Sequence, residues 1–301
     1  MNNKRRLFST VLCVAALTAG LFVSGCGSDK AGGIGSVVSS VVDGGDEKAA
    51  AKLNTLIDAT NRFNSDNVSF AQFQAEGLAK LKGGFAEGAI TNQPHFDRLQ
   101  ADLEKAKKEG STFKEVDAER DNVLNILNEL VPVYKDLTAY DDSKAYMNDG
   151  GAKGKDLAAK YVAAVEKFDA AYAKFNETLN KVNAEQSKKQ IEKLKKDGKK
   201  GYAAAMESTL RLTTLVDNLE KAPQKADKAA VEKEISEIEA LLKSINNDRG
   251  QVLADRYNSV VGDVRQVLAD PSDNNLNNMI EGFNGYIDTY NSTTPDQFDA
   301  K

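Results

Sequence analysis

Along most of the chain, apolar residues return every three to four positions with charged residues between them, the period of an amphipathic helix. The pattern opens near Asp46, where Leu53, Leu56, Ile57, Thr60 and Phe63 share a face. Phe70, Phe73, Leu78 and Leu81 mark a second helix, entered through Ser65-Asp66-Asn67 and ended by Gly83-Gly84. Asn92-Gln93-Pro94 reads as a turn, with Pro94 in the first turn of a third helix that carries Phe96, Leu99 and Leu103 and stops at Gly110. The pattern then sharpens into heptads. Val116, Val123, Leu130 and Leu137 occupy one position and Leu127 and Tyr134 its companion, with Arg120 interrupting the stripe. Pro132 lies inside this run and predicts a kink or a break near Leu130. Beyond Gly150, Gly151 and Gly154, a second row follows: Tyr161, Phe168, Phe175 and Val182, with Val165, Tyr172 and Leu179 beside it. A helix uninterrupted from about 152 to 195 would be roughly 60 Å long.

Four more helical faces complete the pattern. Leu212, Leu215, Val216 and Leu219 end before Pro223, and Val231, Ile235, Ile238, Leu241, Leu242 and Ile245 follow. Val252, Leu253, Tyr257, Val260, Val261, Val264 and Val267 make the next, and Leu276, Met279, Ile280, Phe283, Ile287 and Tyr290 the last. No alternating strand pattern competes with them. The expectation is an all-α protein, an elongated multi-helix bundle with long heptad-patterned antiparallel helices over residues 47–292. Residues 293–301 read as a polar tail, predicted to fray from Ser292.

The first 26 residues follow another logic. Lys4, Arg5 and Arg6 precede a run from Leu7 to Val23 that is apolar or small apart from Ser9, Thr10 and Thr18. Such a basic start, apolar core and small-residue end are the parts of a secretory signal peptide. The stretch Val23-Ser24-Gly25-Cys26 resembles the lipobox of bacterial lipoproteins, with Val23 where Leu is usual. The resemblance implies cleavage between Gly25 and Cys26, diacylglycerol on the Cys26 thiol and a further chain such as palmitate on the new amino group. At about 0.8 kcal/mol per buried CH₂, one chain holds a protein marginally and two or three hold it stably. Residues 1–25 are then a lipoprotein signal peptide, and 26–46 the acylated Cys and a Gly/Ser/Val tether. In that tether Ile34, Val37, Val38, Val41 and Val42 fall at helical spacing but stand among glycines, so a linker is expected. Gly27, rather than Asp, after the Cys implies the outer membrane, facing the periplasm, in a Gram-negative cell.

Charge and composition narrow the chemistry. Loss of residues 1–25 removes three cations and no acid, taking the formal charge from −5 to −8, which disfavours nucleic acid as a partner. Cys13 leaves with the signal and Cys26 is consumed by lipid, so no disulfide is expected. His95 is the lone histidine, which denies the chain a histidine-based triad or a His-rich metal or haem site. Lys188, Lys189, Lys193, Lys195, Lys196, Lys199 and Lys200 crowd one stretch, read as a solvated helix end. Gly150-Gly151-Ala152-Lys153-Gly154-Lys155 looks like a phosphate loop but has Asp149 and Asp156 at its key positions, so an interhelical loop is expected. Residues 270–281 place Asp270, Ser272, Asn274, Asn278 and Glu281 at calcium-loop spacing, but Asn275 stands where Gly is needed for the sharp turn. Asp273 or Asn274 serves equally as a helix cap there. No catalytic constellation, metal or cofactor is expected.

Two further stretches carry a family resemblance. Leu53 to Asp58 with Asn61 is one; Tyr140, Tyr146, Asp149, Gly154 and Lys155, leading into the Phe168 to Phe175 helix, is the other. With the lipobox and Phe283-Asn284-Gly285-Tyr286-Ile287-Asp288, they look like the YiiG-like bacterial lipoproteins, envelope proteins carrying a domain of unknown function. A His near Leu157, common in that pattern, is missing here. The resemblance implies a helical fold and no established activity. The expectation is a non-catalytic, membrane-anchored binding or scaffold protein with an envelope protein as partner. The alternative is a helical carrier of a lipid or other apolar ligand, with a cavity lined by Tyr172 and Phe175.

Overall fold

The computed structural model describes residues 46–65, 73, 77–85, 87–88, 93–110 and 113–300. The expected signal peptide, Cys26, the tether and Phe70 lie outside the described residues. Among the described residues there are eleven α-helices and no strand. They are α1 (Asp46–Ser65), α2 (Leu78–Lys82), α3 (Phe96–Lys108), α4 (Lys114–Asp142), α5 (Tyr146–Asp149) and α6 (Ala152–Lys196). After these come α7 (Lys200–Lys221), α8 (Lys228–Lys243), α9 (Asp248–Ala269), α10 (Asp273–Asn291) and α11 (Pro295–Asp299). The fold divides into two compact units: residues 52–182 form one, and 183–300 with 46–51 the other.

In the first unit, side-chain pairs fix the helix directions. Arg62 meets Asp102 and Thr55 meets Glu109, so α1 and α3 run antiparallel. Gln100 bonds Asn128 and Lys107 pairs with Asp121, which does the same for α3 and α4. Tyr134 lies beside Tyr161 and Glu119 pairs with Lys174, setting α4 against α6. The result is an up-down bundle whose two heptad rows face its interior, with Val116, Val123, Leu130 and Leu137 all fully buried. Phe63 anchors the centre, its ring 5.7 Å from Phe96, 5.8 Å from Phe168 and 5.4 Å from Tyr172. Offset and edge-on rings at such spacing add about 0.5–1.5 kcal/mol per pair beyond their burial. Tyr172 and Phe175 are therefore walls of a filled core, which weighs against the ligand cavity expected there.

Three local expectations are corrected. Helix α4 runs unbroken through Pro132, because Leu137 and Tyr140 beyond it are buried in the same core as Leu130 before it. Burial on both sides outweighs the lost backbone bond. Arg120 does not spoil the stripe. It is 4% exposed, and its guanidinium bonds Asp117 at 2.7 Å and Asp121 at 3.0 Å along its own helix, which neutralises it inside the heptad row. Pro94 precedes α3 rather than opening it: His95 takes the N-cap position and the helix starts at Phe96.

The second unit is built on α7 to α10. Arg265 pairs with Glu232, the Tyr257 hydroxyl donates to the Ile235 carbonyl at 2.6 Å, and Gly282 abuts Val260 and Asp263; successive helices therefore alternate in direction. Its core joins Leu212, Val216, Ile238, Val260, Val264, Met279 and Phe283, all fully buried. The Tyr286 hydroxyl, also inside, sits 3.2 Å from Ser208 Oγ and 3.0 Å from Thr209 Oγ1. Side-chain caps start three of these helices: Asp227 for α8, Asn247 for α9 and Ser272 for α10. The tail does not fray. Thr294 and Gln297 form a capping box that opens α11, and Phe298 is 2% exposed.

Candidate functional site

In the first unit, the α4–α6 connection gathers chemistry that the heptads do not need. Helix α4 ends at Asp142, and the four-residue α5 leads through Gly150 and Gly151, both left-handed, into α6. The Tyr140 hydroxyl donates to Oδ1 of Asp149 at 2.6 Å. The same carboxylate accepts the backbone N–H groups of Gly151 at 2.9 Å and Lys153 at 3.2 Å. Asp149 thus caps α6, holding its acceptors where the free N–H groups of a helix start point. A phosphate would need that place; of the expected interhelical loop only Gly150 and Gly151 form the turn, and Ala152 to Lys155 are the first turn of α6.

A second layer closes over this turn. Phe85 lies 5.2 Å from the Tyr140 ring and 5.6 Å from the Tyr146 ring. Gly154 makes room for it, since a Cβ there would come within 2.6 Å of both Phe85 and Tyr140. The Gly88 N–H donates to the Asp141 carboxylate at 3.1 Å, and the Tyr146 hydroxyl bonds Glu87. Beside Tyr146 in α5, Met147 is 75% exposed. Burial, and then the bond to Asp149, raise the Tyr140 phenol, while the bond to Glu87 and burial push Tyr146 up to about 12. The Tyr140 bond in turn holds the Asp149 carboxyl below its ordinary range. Both phenols are therefore committed donors, which suits a rigid clasp and not proton abstraction.

Two other places stand out. Asp58 on α1 is half-buried, and burial pushes its carboxyl up to about 6 against the pull of Arg62. The Arg62 guanidinium lies 3.1 Å from Asp102, across to α3. In the second unit, a cleft of about 480 Å³ opens between α7 and α8 over Leu215, Leu219, Ala222 and Val231. At its edge Arg211 bonds both oxygens of Glu234 at 2.7 Å and also reaches Glu237.

The residues singled out in the sequence fare unequally. Gly25 and Cys26 lie outside the described residues. Of the calcium-loop set, Ser272 caps α10, and Asp270 accepts from Asn275 Nδ2 through its carbonyl at 2.8 Å. Asn274 and Glu281 lie within α10, seven residues apart and so about 10 Å along its axis. The set is not brought together, and among the described residues no three His, Cys, Asp or Glu side chains are placed to hold a metal. Tyr140, Tyr146, Asp149 and Gly154 do converge, whereas Lys155 is exposed. Sequence reasoning missed Phe85, Glu87 and Gly88. An aromatic directly after Gly83-Gly84 was the available signal for a docking loop.

Fold and clasp define an all-α protein of two helical units, with no strand among the described residues. Residues 47–269 match the family described as Protein of unknown function (DUF3829), and the chain belongs to that family. The match begins in α1 and ends with the last residue of α9, leaving Phe283 to Asp288 outside it. No curated protein and no solved structure matches the chain.

Proposed function

We propose that this protein is a YiiG-like bacterial lipoprotein, held at the envelope by lipid on Cys26 and acting without catalysis to bind or scaffold an envelope partner. The observation that carries the anchor is Val23-Ser24-Gly25-Cys26 at the end of a basic-then-apolar leader. Among the described residues no helix is long and apolar enough to cross a membrane. The binding role is supported by the clasp around Tyr140, where an exposed Met147 stands on a short helix braced by committed hydrogen bonds. Rigid polar bracing holds the exposed Met147 side chain in one place, as a contact residue requires.

The test is fractionation of cells carrying Cys26→Ala, combined with labelling by a palmitate analogue. The wild-type chain should label and sediment with the membrane, and the variant should do neither. A variant that remains membrane-bound would overturn the anchor. Crosslinking in the native envelope then identifies the partner: enrichment lost in a Met147→Asp variant of unchanged fold supports the contact surface, and enrichment of nothing refutes it.

A further inference from the structure

The last eight described residues of the chain are received like a ligand. Phe298 enters a slot between two tyrosines, its ring 6.0 Å from Tyr202 and 6.1 Å from Tyr290 and nearly parallel to both. Asn247 Nδ2 donates to the carbonyls of Phe298, at 2.9 Å, and Ala300, at 3.1 Å. The Gly201 N–H donates to the Asp299 carboxylate at 2.6 Å, and Lys199 reaches Asp296 at 3.4 Å. Any Cβ at Gly201 would overlap the Phe298 carbonyl. An aromatic slot, main-chain donors and matched charges are the means by which peptide sites read an extended or short helical segment.

Two features make this segment separable. The capping box of α11 is local, formed by Thr294 and Gln297 and not by the surroundings, and only Ser292 to Thr294 join the helix to α10. The crevice, by contrast, needs an occupant. Lys199 at the N-cap of α7 offers no side-chain cap, and Asp299 supplies one from the far end of the chain. An emptied crevice would leave the Gly201 N–H without this acceptor, and the same acceptor is present on every copy of the chain.

We infer that the crevice formed by Gly201, Tyr202, Asn247 and Tyr290 is a binding site for a Phe-Asp segment, filled by residues 295–300 of the same chain and able to take those of a second copy. Exchange of one identical element between protomers is a low-cost route to a dimer. Tethering on one membrane would favour it by raising local concentration. The inference goes beyond the anchoring reading and is independent of the lipid.

The experiment uses detergent-solubilised full-length chains. Gly201→Val closes the crevice and frees an intact tail; Phe298→Ala frees the crevice and disables the tail. Each alone should sediment as a monomer, and their mixture should form a one-to-one complex. A fluorescent peptide of residues 293–300 should bind the Phe298→Ala chain about tenfold or more tighter than the unaltered chain, whose own tail competes. No complex on mixing, or equal peptide binding to both chains, overturns the inference. If Phe298→Ala loses its helical circular dichroism, Asp296→Ala with Asp299→Ala takes its place, loosening the tail while keeping Phe298, and the same two outcomes decide. Failure here leaves Cys26 anchoring untouched, since no step depends on the membrane.

Discussion

Tyr140, in the last turn of α4, donates its hydroxyl to Asp149, whose carboxylate caps the start of α6. One hydrogen bond thereby ties the end of one long helix to the beginning of the next. Tyr140→Phe should lower the thermal midpoint and leave the helix content unchanged. The Asp149 carboxyl is depressed in the folded state, first by this bond, so its stabilisation is present above the unfolded carboxylate range and lost as pH falls through the folded value. In Tyr140→Phe that acid-side loss should shrink. Thermal melts from pH 7 down to pH 3 test it, and an unchanged acid slope would sink the assignment.

Asp58 works in the opposite direction. Burial raises its folded pKa to about 6, so the folded state holds a proton that the unfolded state has released. Stability contributed by the protonated form is lost as pH rises from the unfolded value toward 6. Asp58→Asn should stabilise the protein at pH 7.5 by about 1–2 kcal/mol, allowing for solvent screening of a half-buried group, and hardly at pH 4. Urea unfolding at the two pH values gives the comparison. Equal gains at both would show that burial of the charge is not the cause.

Arg120 stands buried at a heptad position and pairs with Asp117, which is largely covered, and with the exposed Asp121. Arg120→Ala should cost about 2 kcal/mol, because it removes the buried guanidinium from the Asp117 carboxylate and opens a gap in the heptad row. Arg120→Leu should recover part of that loss by filling the row. If Arg120→Leu proves the worse of the two in urea unfolding, the ion pair contributes more than packing can replace.

For the segment from Asp270 to Glu281, the structure predicts capping and not calcium. Ser272→Ala should cost about 0.5–1 kcal/mol through loss of the α10 cap. Millimolar calcium should leave the thermal midpoint where it was. A rise in midpoint with calcium, absent in Glu281→Gln, would reverse the reading.

The helices were legible in the sequence wherever one face had a partner along its whole length. The Tyr161 to Val182 row gave α6 to within a residue of its observed end. Of the kink or break that Pro132 suggested, the break is absent, because a local rule about one lost N–H says nothing of how much core lies on each side. Arg120 misled because its two acidic partners are neighbours in sequence whose side chains only a helix turns toward it. The tail misled for a related reason: Phe298 is a single apolar residue among polar ones, and its slot is formed by Tyr202 and Tyr290, from two other helices. The clasp was half visible. Tyr140, Tyr146, Asp149 and Gly154 lie within fifteen residues of each other, whereas Phe85 reaches them only through tertiary folding.

The family match stops at Ala269, yet α9 does not finish its work there. Val260, Val264 and Val267 turn their side chains into a core that Met279, Phe283 and Tyr286 complete from α10. A gene cut at the family's recognised edge would therefore encode a sticky product, one whose last helix shows bare valines to water.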